Sequence, residues 1–160
     1  MDDDLRGVGG WLLTFVIIMA VVSPAVSAIM VYVELYTGDA AYLADVPEIT
    51  RLKLFMWTLV LVDAAIGWFA AYRLVAIHNW RSVQIAIACI WIGSIGLAIV
   101  GFVGISMLTG LSFGEVMAEG GARDIVRPLG FSLIWTAYLL KSVRVANTYR
   151  GGQEQAGVFE

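Results

Sequence analysis

The sequence predicts an all-α membrane protein, with four antiparallel transmembrane helices in one domain over residues 1–150. Of the 160 residues, 60% are hydrophobic and only 14% are charged. The mean hydropathy is +0.83. A soluble domain is about half apolar and about a quarter charged, and a chain of this length would expose much of that excess to water. The apolar residues also fall into four long segments, which is the third observation that predicts this fold.

The four apolar segments cover residues 8–36, 54–77, 83–108 and 128–145. A helix needs roughly 20 residues to cross about 30 Å of hydrocarbon, and the fourth segment is nearest that minimum. Backbone polar groups in lipid must be satisfied within the segment or within a closed barrel. Since the alternation typical of barrel strands is missing, each segment is predicted to be a helix.

The links between these segments carry their own signals. Residues 79–82 are short enough to join the second and third helices in a tight antiparallel hairpin. Asp45-Val46-Pro47-Glu48 is typical of a helix start, with a cap and a carboxylate three residues later. Residues 151–160 are polar and glycine-rich, so we expect a disordered tail there.

The link between the third and fourth helices contains Ser112-Phe113-Gly114-Glu115, a capping-box pattern. It predicts a short interfacial helix with Phe113, Val116 and Met117 facing the membrane. An irregular loop is the alternative.

The orientation follows from the lysines and arginines near the helix ends, which favour the cytoplasmic side. The side that holds both termini carries Arg6, Arg73, Arg81, Lys141, Arg144 and Arg150. The other side carries Arg51, Lys53, Arg123 and Arg127. The larger group predicts that both termini are cytoplasmic.

Glycines mark candidate packing faces on two helices. Gly93, Gly96 and Gly104 lie within one narrow arc of the third helix, and Gly67 lies in a similar row on the second. Glycine permits the close approach that membrane helices use to associate. Contact between these two helices within one chain explains the pattern, and a homodimer interface is the alternative.

Pro24 lies inside the first helix and is expected to kink it, because proline removes a backbone donor. The carbonyl that loses its donor can be satisfied by Ser23, by Ser27 or by a neighbouring helix. A role in packing and a role as a hinge are both open.

Asp63 is an acidic residue near the middle of the second helix, and such residues usually face the bundle interior or a wet cavity. No lysine or arginine is expected at the same depth. We therefore expect hydroxyl or carbonyl partners, such as Ser94, Thr136 or Tyr138. The functional interpretation is a proton or cation site, and the alternative is a neutral packing residue.

Motifs of enzymes, cofactors and nucleic-acid binding are missing from the sequence. The chain has one cysteine, Cys89, and one histidine, His78, so no zinc cluster or bis-histidine haem is expected. No nucleophile with a neighbouring histidine and no paired carboxylates are evident. No basic patch with interleaved aromatic residues predicts binding to nucleic acid. We therefore expect a protein without cofactor or enzymatic activity.

Both ends of the chain carry motifs of a known family. They are Gly7-Val8-Gly9-Gly10-Trp11-Leu12 with Ser23-Pro24, and Ile134-Trp135, Tyr138, Leu140-Lys141-Ser142, Arg144-Val145 and Asn147-Thr148-Tyr149. With these residues the chain resembles the domain of unknown function 2569 family, from about residue 7 to residue 150. Where the family pattern usually has a proline before the tyrosine, this chain has Ala137. The resemblance implies a four-helix protein of a bacterial inner membrane and brings no assigned activity.

Two functional hypotheses follow. The first is a non-enzymatic accessory or scaffold subunit that acts through helix association, with the lipid bilayer and another membrane protein or a second copy of itself as partners. The second is a small oligomeric transporter or channel with Asp63 in a proton or cation pathway.

Overall fold

The computed structural model describes residues 7–37, 47–120 and 123–150. These ranges are helical apart from short turns. The elements are α1 (Trp11–Ile17), a first π-helical turn (Ile18–Val22), α2 (Ser23–Tyr36), α3 (Pro47–Ala76), α4 (Trp80–Trp91), a second π-helical turn (Ile92–Gly96), α5 (Leu97–Thr109), α6 (Phe113–Gly120), α7 (Arg123–Lys141) and α8 (Val143–Tyr149).

Three continuous helices are long and apolar enough to cross a membrane: Trp11–Tyr36, Ile49–Ala76 and Trp80–Thr109. The first and the third each contain one of the π-helical turns. The prediction of an all-helical protein embedded in a membrane is therefore confirmed. The fourth predicted crossing stays a prediction.

The fourth apolar segment differs from its predicted bounds of 128–145. The helix α7 begins earlier, at Arg123, and ends at Lys141. It ends there because Ser142 leaves the helical conformation and caps α8, its side chain accepting a hydrogen bond of 3.4 Å from the amide of Val145. With four charged residues among 19, α7 is more densely charged than the three helices above.

The other helix boundaries shift for local reasons. The first helix begins at Trp11 rather than at residue 8, because Gly10 precedes it with a φ of 56° that only glycine adopts readily. The second begins at Pro47 rather than at residue 54, as expected where proline occupies a first helical turn. The third begins at Trp80 rather than 83, behind an Asn79 cap. The predicted Asp45 cap and the predicted tail of residues 151–160 lie outside the described residues.

The link between α5 and α7 forms the predicted short helix, α6. Its capping box is reciprocal: a carboxylate oxygen of Glu115 accepts from the Ser112 amide at 2.8 Å, and the Glu115 amide donates to the Ser112 hydroxyl at 3.3 Å. The prediction that Val116 faces the membrane is wrong, because this side chain is buried within the protein. Phe113 lies against the ring of Phe102, at 6.3 Å between centroids.

The buried core is concentrated at one end of the bundle. It includes Leu12 and Phe15 from α1, Leu74 from α3, and Leu139 and Tyr149 from α7 and α8. The turn between α3 and α4 lies at this same end. A second, smaller buried cluster of Val31, Leu35 and Val60 lies towards the opposite end, and a cavity opens between the helices beside it.

Candidate functional site

The candidate site is a cavity of about 750 Å³ that begins near the middle of the bundle. Its walls come from the first π-helical turn, α2, α3, α4, the second π-helical turn, α5 and α7. Most of the lining is aliphatic or aromatic. The polar and charged side chains in the wall are Ser23, Ser27, Asp63, Ser94 and Arg127.

Asp63 lies close to the midpoint of the span Ile49–Ala76 and lines this cavity. Both of its hydrogen-bond donors come from α2. The hydroxyl of Ser27 donates to Oδ2 at 3.2 Å, and the hydroxyl of Ser23 donates to the same oxygen at 3.4 Å. On the other side, Gly93 leaves room for Oδ1, which would lie 3.4 Å from a methyl group placed on that glycine.

The predicted kind of partner for Asp63, a hydroxyl, is confirmed, but the residues predicted for that role are wrong. Ser94 donates to the carbonyl of Ile90 at 2.6 Å and lies 2.6 Å from the hydroxyl of Ser132. Thr136 accepts a hydrogen bond of 3.2 Å from the indole of Trp91. The side chains of Ser94 and Trp91 instead form hydrogen bonds from the third membrane-spanning helix to the hydroxyls of Ser132 and Thr136 on α7. Hydropathy places residues by depth, but it does not give the rotation of one helix relative to another.

Two π-helical turns flank the carboxyl group of Asp63. Ile18–Val22 interrupts the first span, and Ile92–Gly96 interrupts the third. Residues of both turns line the cavity. Single π-helical turns within α-helices occur frequently at functional sites, because they disturb the regular hydrogen-bond ladder and re-aim side chains.

The first π-helical turn lies directly before Pro24. In a regular helix the amide of residue 24 would donate to the carbonyl of Ala20, and proline has no amide hydrogen. The indole Nε1 of Trp68 on α3 donates to that carbonyl instead, at 2.7 Å. Of the partners considered from sequence, the neighbouring helix thus satisfies this carbonyl. Ser23 and Ser27 remain available for Asp63.

Gly93 and Gly104 contact the second membrane-spanning helix as predicted, but the prediction for Gly67 is wrong, because the atoms nearest to it belong to the first helix and not the third. A methyl group at Gly67 would collide with the backbone carbonyl oxygen of Met19, so α3 and the first π-helical turn lie in direct backbone contact. Gly104 makes room for the ring of Phe55 in the same way. At Gly96, the atoms nearest to an added methyl group belong to its own helix.

Arg127, predicted to lie near a membrane surface, is exposed and also lines the cavity. The contact between Ser94 and Ser132 fixes the depth of α7, and Ser94 is adjacent to Gly93, which contacts Asp63. At about 1.5 Å per residue, Arg127 lies about 7.5 Å further along α7 than Ser132. Arg127 directly precedes an apolar segment in the sequence. That position fits a residue lining a cavity and equally fits a helix end in contact with water.

The two family motifs meet at the end of the bundle opposite the cavity. We call this region the motif end: residues 7–11, the turn 77–79 and residues 142–150. The amide of Gly7 donates to the hydroxyl of Thr148 at 3.0 Å. Gly9 and Gly10 lie against the guanidinium of Arg144.

Aromatic residues extend the motif end into the core. Trp135 packs against Phe15, with 4.8 Å between ring centroids, and Tyr138 meets the edge of Trp135 at 5.6 Å. Trp11 and Lys141 are exposed at the surface.

Tyr149 is buried at the motif end and holds α8 against α3. Its hydroxyl donates to the carbonyl of Leu74 at 2.6 Å, and its ring stacks on His78 at 5.8 Å. Burial raises the pKa of Tyr149 to about 12, since the phenolate would lose its solvation there.

A protein-family model described as "Protein of unknown function (DUF2569)" matches residues 5–150. The chain belongs to the DUF2569 family. The DUF2569 match includes the motif end, α3 with Asp63 and every other described helix. No curated protein and no solved structure matches the chain.

The arrangement around Asp63 has defined chemical capabilities. A carboxyl group within a membrane span can hold a proton, or as a carboxylate it can bind a cation or an ammonium group. The two serine hydroxyls donate to one carboxyl oxygen, which favours the ionised form, whereas burial favours the neutral form. Within the described ranges, no group of three or more His, Cys, Asp and Glu side chains is placed to hold a metal ion.

Proposed function

We propose that this DUF2569 protein is a small transporter or channel, or a subunit of one, and that Asp63 lies in its proton or cation pathway. One observation carries the proposal: a hydrogen-bonded carboxyl group lines a large cavity at the midpoint of a membrane span, between two π-helical turns. A residue that only packed would favour a closed environment. The open cavity supports the functional interpretation of Asp63 instead.

The proposed topology has four antiparallel crossings in a bacterial inner membrane, with both termini cytoplasmic and α7 as the fourth crossing. The motif end supports it, because the start of α1, the turn after α3 and the end of α7 lie together there. An even number of crossings produces that arrangement. The position of Arg127 in the cavity wall also explains how α7 could tolerate charge within the membrane.

A flux assay tests the proposed function. The full chain is reconstituted into liposomes with a pH-sensitive dye inside, and proton entry is followed after a membrane potential is imposed. Sodium or potassium entry is measured in parallel with a cation indicator. We expect Asp63-dependent flux of one of these ions, which Asp63→Asn abolishes. Asp63→Asn keeps the size of the side chain and an oxygen that can accept from Ser23 and Ser27.

The matched control is Glu115→Gln, which removes a carboxylate from α6, outside the three membrane-spanning helices. It should leave the flux unchanged. Equal flux in the wild type, Asp63→Asn and empty liposomes for all three ions would contradict the proposal.

A second candidate function is that of a non-enzymatic accessory or scaffold subunit in the lipid bilayer. Its support is an uncovered glycine on α7: nothing lies within 4 Å of a methyl group placed at Gly130. Small residues at a helix surface favour association with another membrane protein or a second copy. Purification in a mild detergent with mass spectrometry tests it, and a stoichiometric partner is the expected result. A monomer without partner would contradict it.

In both proposals the protein forms no covalent intermediate, needs no cofactor and does not bind nucleic acid.

A further inference from the structure

The cavity is much larger than a proton or a metal ion requires. Its volume of about 750 Å³ falls within the range of about 300–1,000 Å³ found for sites that bind small organic molecules. Such sites are mostly apolar, with a few polar groups that orient the ligand. Here side chains such as Val22, Leu59 and Phe131 form the apolar wall.

The two charged side chains in this wall have opposite signs. Asp63 lies at the level of Gly93, and Arg127 lies further along the cavity on α7. Both belong to the described part of the chain, and no ion pair joins them; the partners of Asp63 are the two serines. Asp63 is partly buried and Arg127 is exposed, so an oppositely charged partner would stabilise Asp63 more than Arg127.

The arrangement discriminates between classes of ligand. An organic cation would be attracted by Asp63 and repelled by Arg127, and an organic anion would experience the reverse. A neutral apolar molecule would leave both charges without partners. A ligand with a positive group at one end and a negative group at the other would neutralise both side chains, and its apolar body would contact the wall between them.

We propose that the cavity binds a small organic zwitterion, whose ammonium group pairs with the Asp63 carboxylate and whose anionic group pairs with the Arg127 guanidinium. The inference rests on the proposed function, because it takes the cavity at Asp63 as the working site. It adds the class of ligand and assigns Arg127 as a specificity-determining residue.

The test is a binding measurement by isothermal titration on the full chain in lipid nanodiscs. The probes are ε-aminocaproate, which carries both charges on an apolar chain, and caproate and n-hexylamine, which carry one charge each. We expect ε-aminocaproate to bind at least about tenfold more tightly than either single-charge probe, about 1.4 kcal/mol. Equal affinities for the three probes, or no binding of ε-aminocaproate, would overturn the inference.

Variants assign each end of the probe. Asp63→Asn should weaken binding of ε-aminocaproate and n-hexylamine, and Arg127→Gln should weaken binding of ε-aminocaproate and caproate. Retained binding of n-hexylamine by Arg127→Gln shows that this variant is folded. Arg81→Gln, which removes an exposed charge at the motif end of α4, should change none of the affinities. Unchanged affinity for ε-aminocaproate in both cavity variants would overturn the assignment.

The ion pathway and the zwitterionic ligand can each be contradicted without the other. Asp63-dependent ion flux without binding of ε-aminocaproate would remove the zwitterion and leave the proposed function intact. Binding of ε-aminocaproate that needs both charges, with no Asp63-dependent flux, would confirm the ligand class and remove the ion pathway.

Discussion

The indole nitrogen of Trp68 donates a 2.7 Å hydrogen bond to the carbonyl oxygen of Ala20, whose regular helical donor is missing because residue 24 is proline. This contact lets the first span contain a π-helical turn without an unsatisfied carbonyl in the membrane. It also places Ser23 and Ser27, which follow directly, against Asp63. The irregularity at Pro24 and the candidate site are therefore parts of one arrangement.

Replacing Trp68 by phenylalanine should destabilise the protein by about 1–3 kcal/mol, because the Ala20 carbonyl is then left without this donor. The measurement is thermal or denaturant unfolding in a mild detergent. Phe69→Leu is the control, since it alters the adjacent exposed ring and breaks no hydrogen bond. If both variants lose the same stability, the hydrogen bond contributes nothing specific.

Gly67→Ala should cost about 1–3 kcal/mol, because the added methyl group would displace the backbone of Met19. A rigid backbone carbonyl, unlike the end of a flexible side chain, cannot move aside alone. Unfolding in detergent is again the measurement.

The control for this position is Gly130→Ala, where nothing lies within 4 Å of the new methyl group. That variant should be neutral or more stable by up to about 1 kcal/mol, since alanine is the better helix former. A stable Gly67→Ala protein would mean that the two helices do not touch at Met19.

Tyr149→Phe should lower stability by about 1 kcal/mol, because it removes the hydrogen bond to the Leu74 carbonyl. It should also alter the alkaline limb of the stability profile. An unfolded tyrosine ionises near pH 10, whereas the folded pKa of Tyr149 is about 12. The stabilisation from this difference is fully present below about pH 10 and is lost as the pH rises through about 12.

The wild type should therefore lose more stability than Tyr149→Phe over that interval, when both are unfolded in detergent at a series of pH values. The other tyrosines are common to both proteins and serve as the internal control. Parallel profiles would show that Tyr149 is not buried in its neutral form.

Removing both hydroxyl donors of Asp63 tests their part in the pathway. The double variant Ser23→Ala and Ser27→Ala should reduce ion flux by about tenfold, because one hydrogen bond to a charged group is worth about 1.5 kcal/mol or more. Flux should fall less than in Asp63→Asn, since the carboxyl group remains. Ser112→Ala, which removes a hydroxyl from the cap of α6, is the control. Wild-type flux in the double variant would exclude these serines from the pathway.

The sequence predicts much of this fold, because depth in a membrane is governed by hydropathy and helix ends by capping. The three spans and the short helix α6 follow from those two rules. Neither hydropathy nor capping determines how each helix is rotated about its own axis relative to its neighbours. For this reason the residues that bind Asp63 were assigned wrongly and Val116 was placed on the wrong face. The break at Ser142 was missed because the apolar run continues through Val143 and Val145.

The central claim is that Asp63 lies in an open cavity within the membrane. The most direct test is labelling of the protein in membranes with dicyclohexylcarbodiimide, a hydrophobic reagent that modifies carboxyl groups it can reach from the apolar phase, followed by peptide mass spectrometry. We expect an adduct on Asp63 that is absent in Asp63→Asn and that ε-aminocaproate reduces if the zwitterion occupies the same cavity. An unmodified Asp63, under conditions in which a known lipid-accessible carboxyl group in the same membranes reacts, would contradict the open cavity.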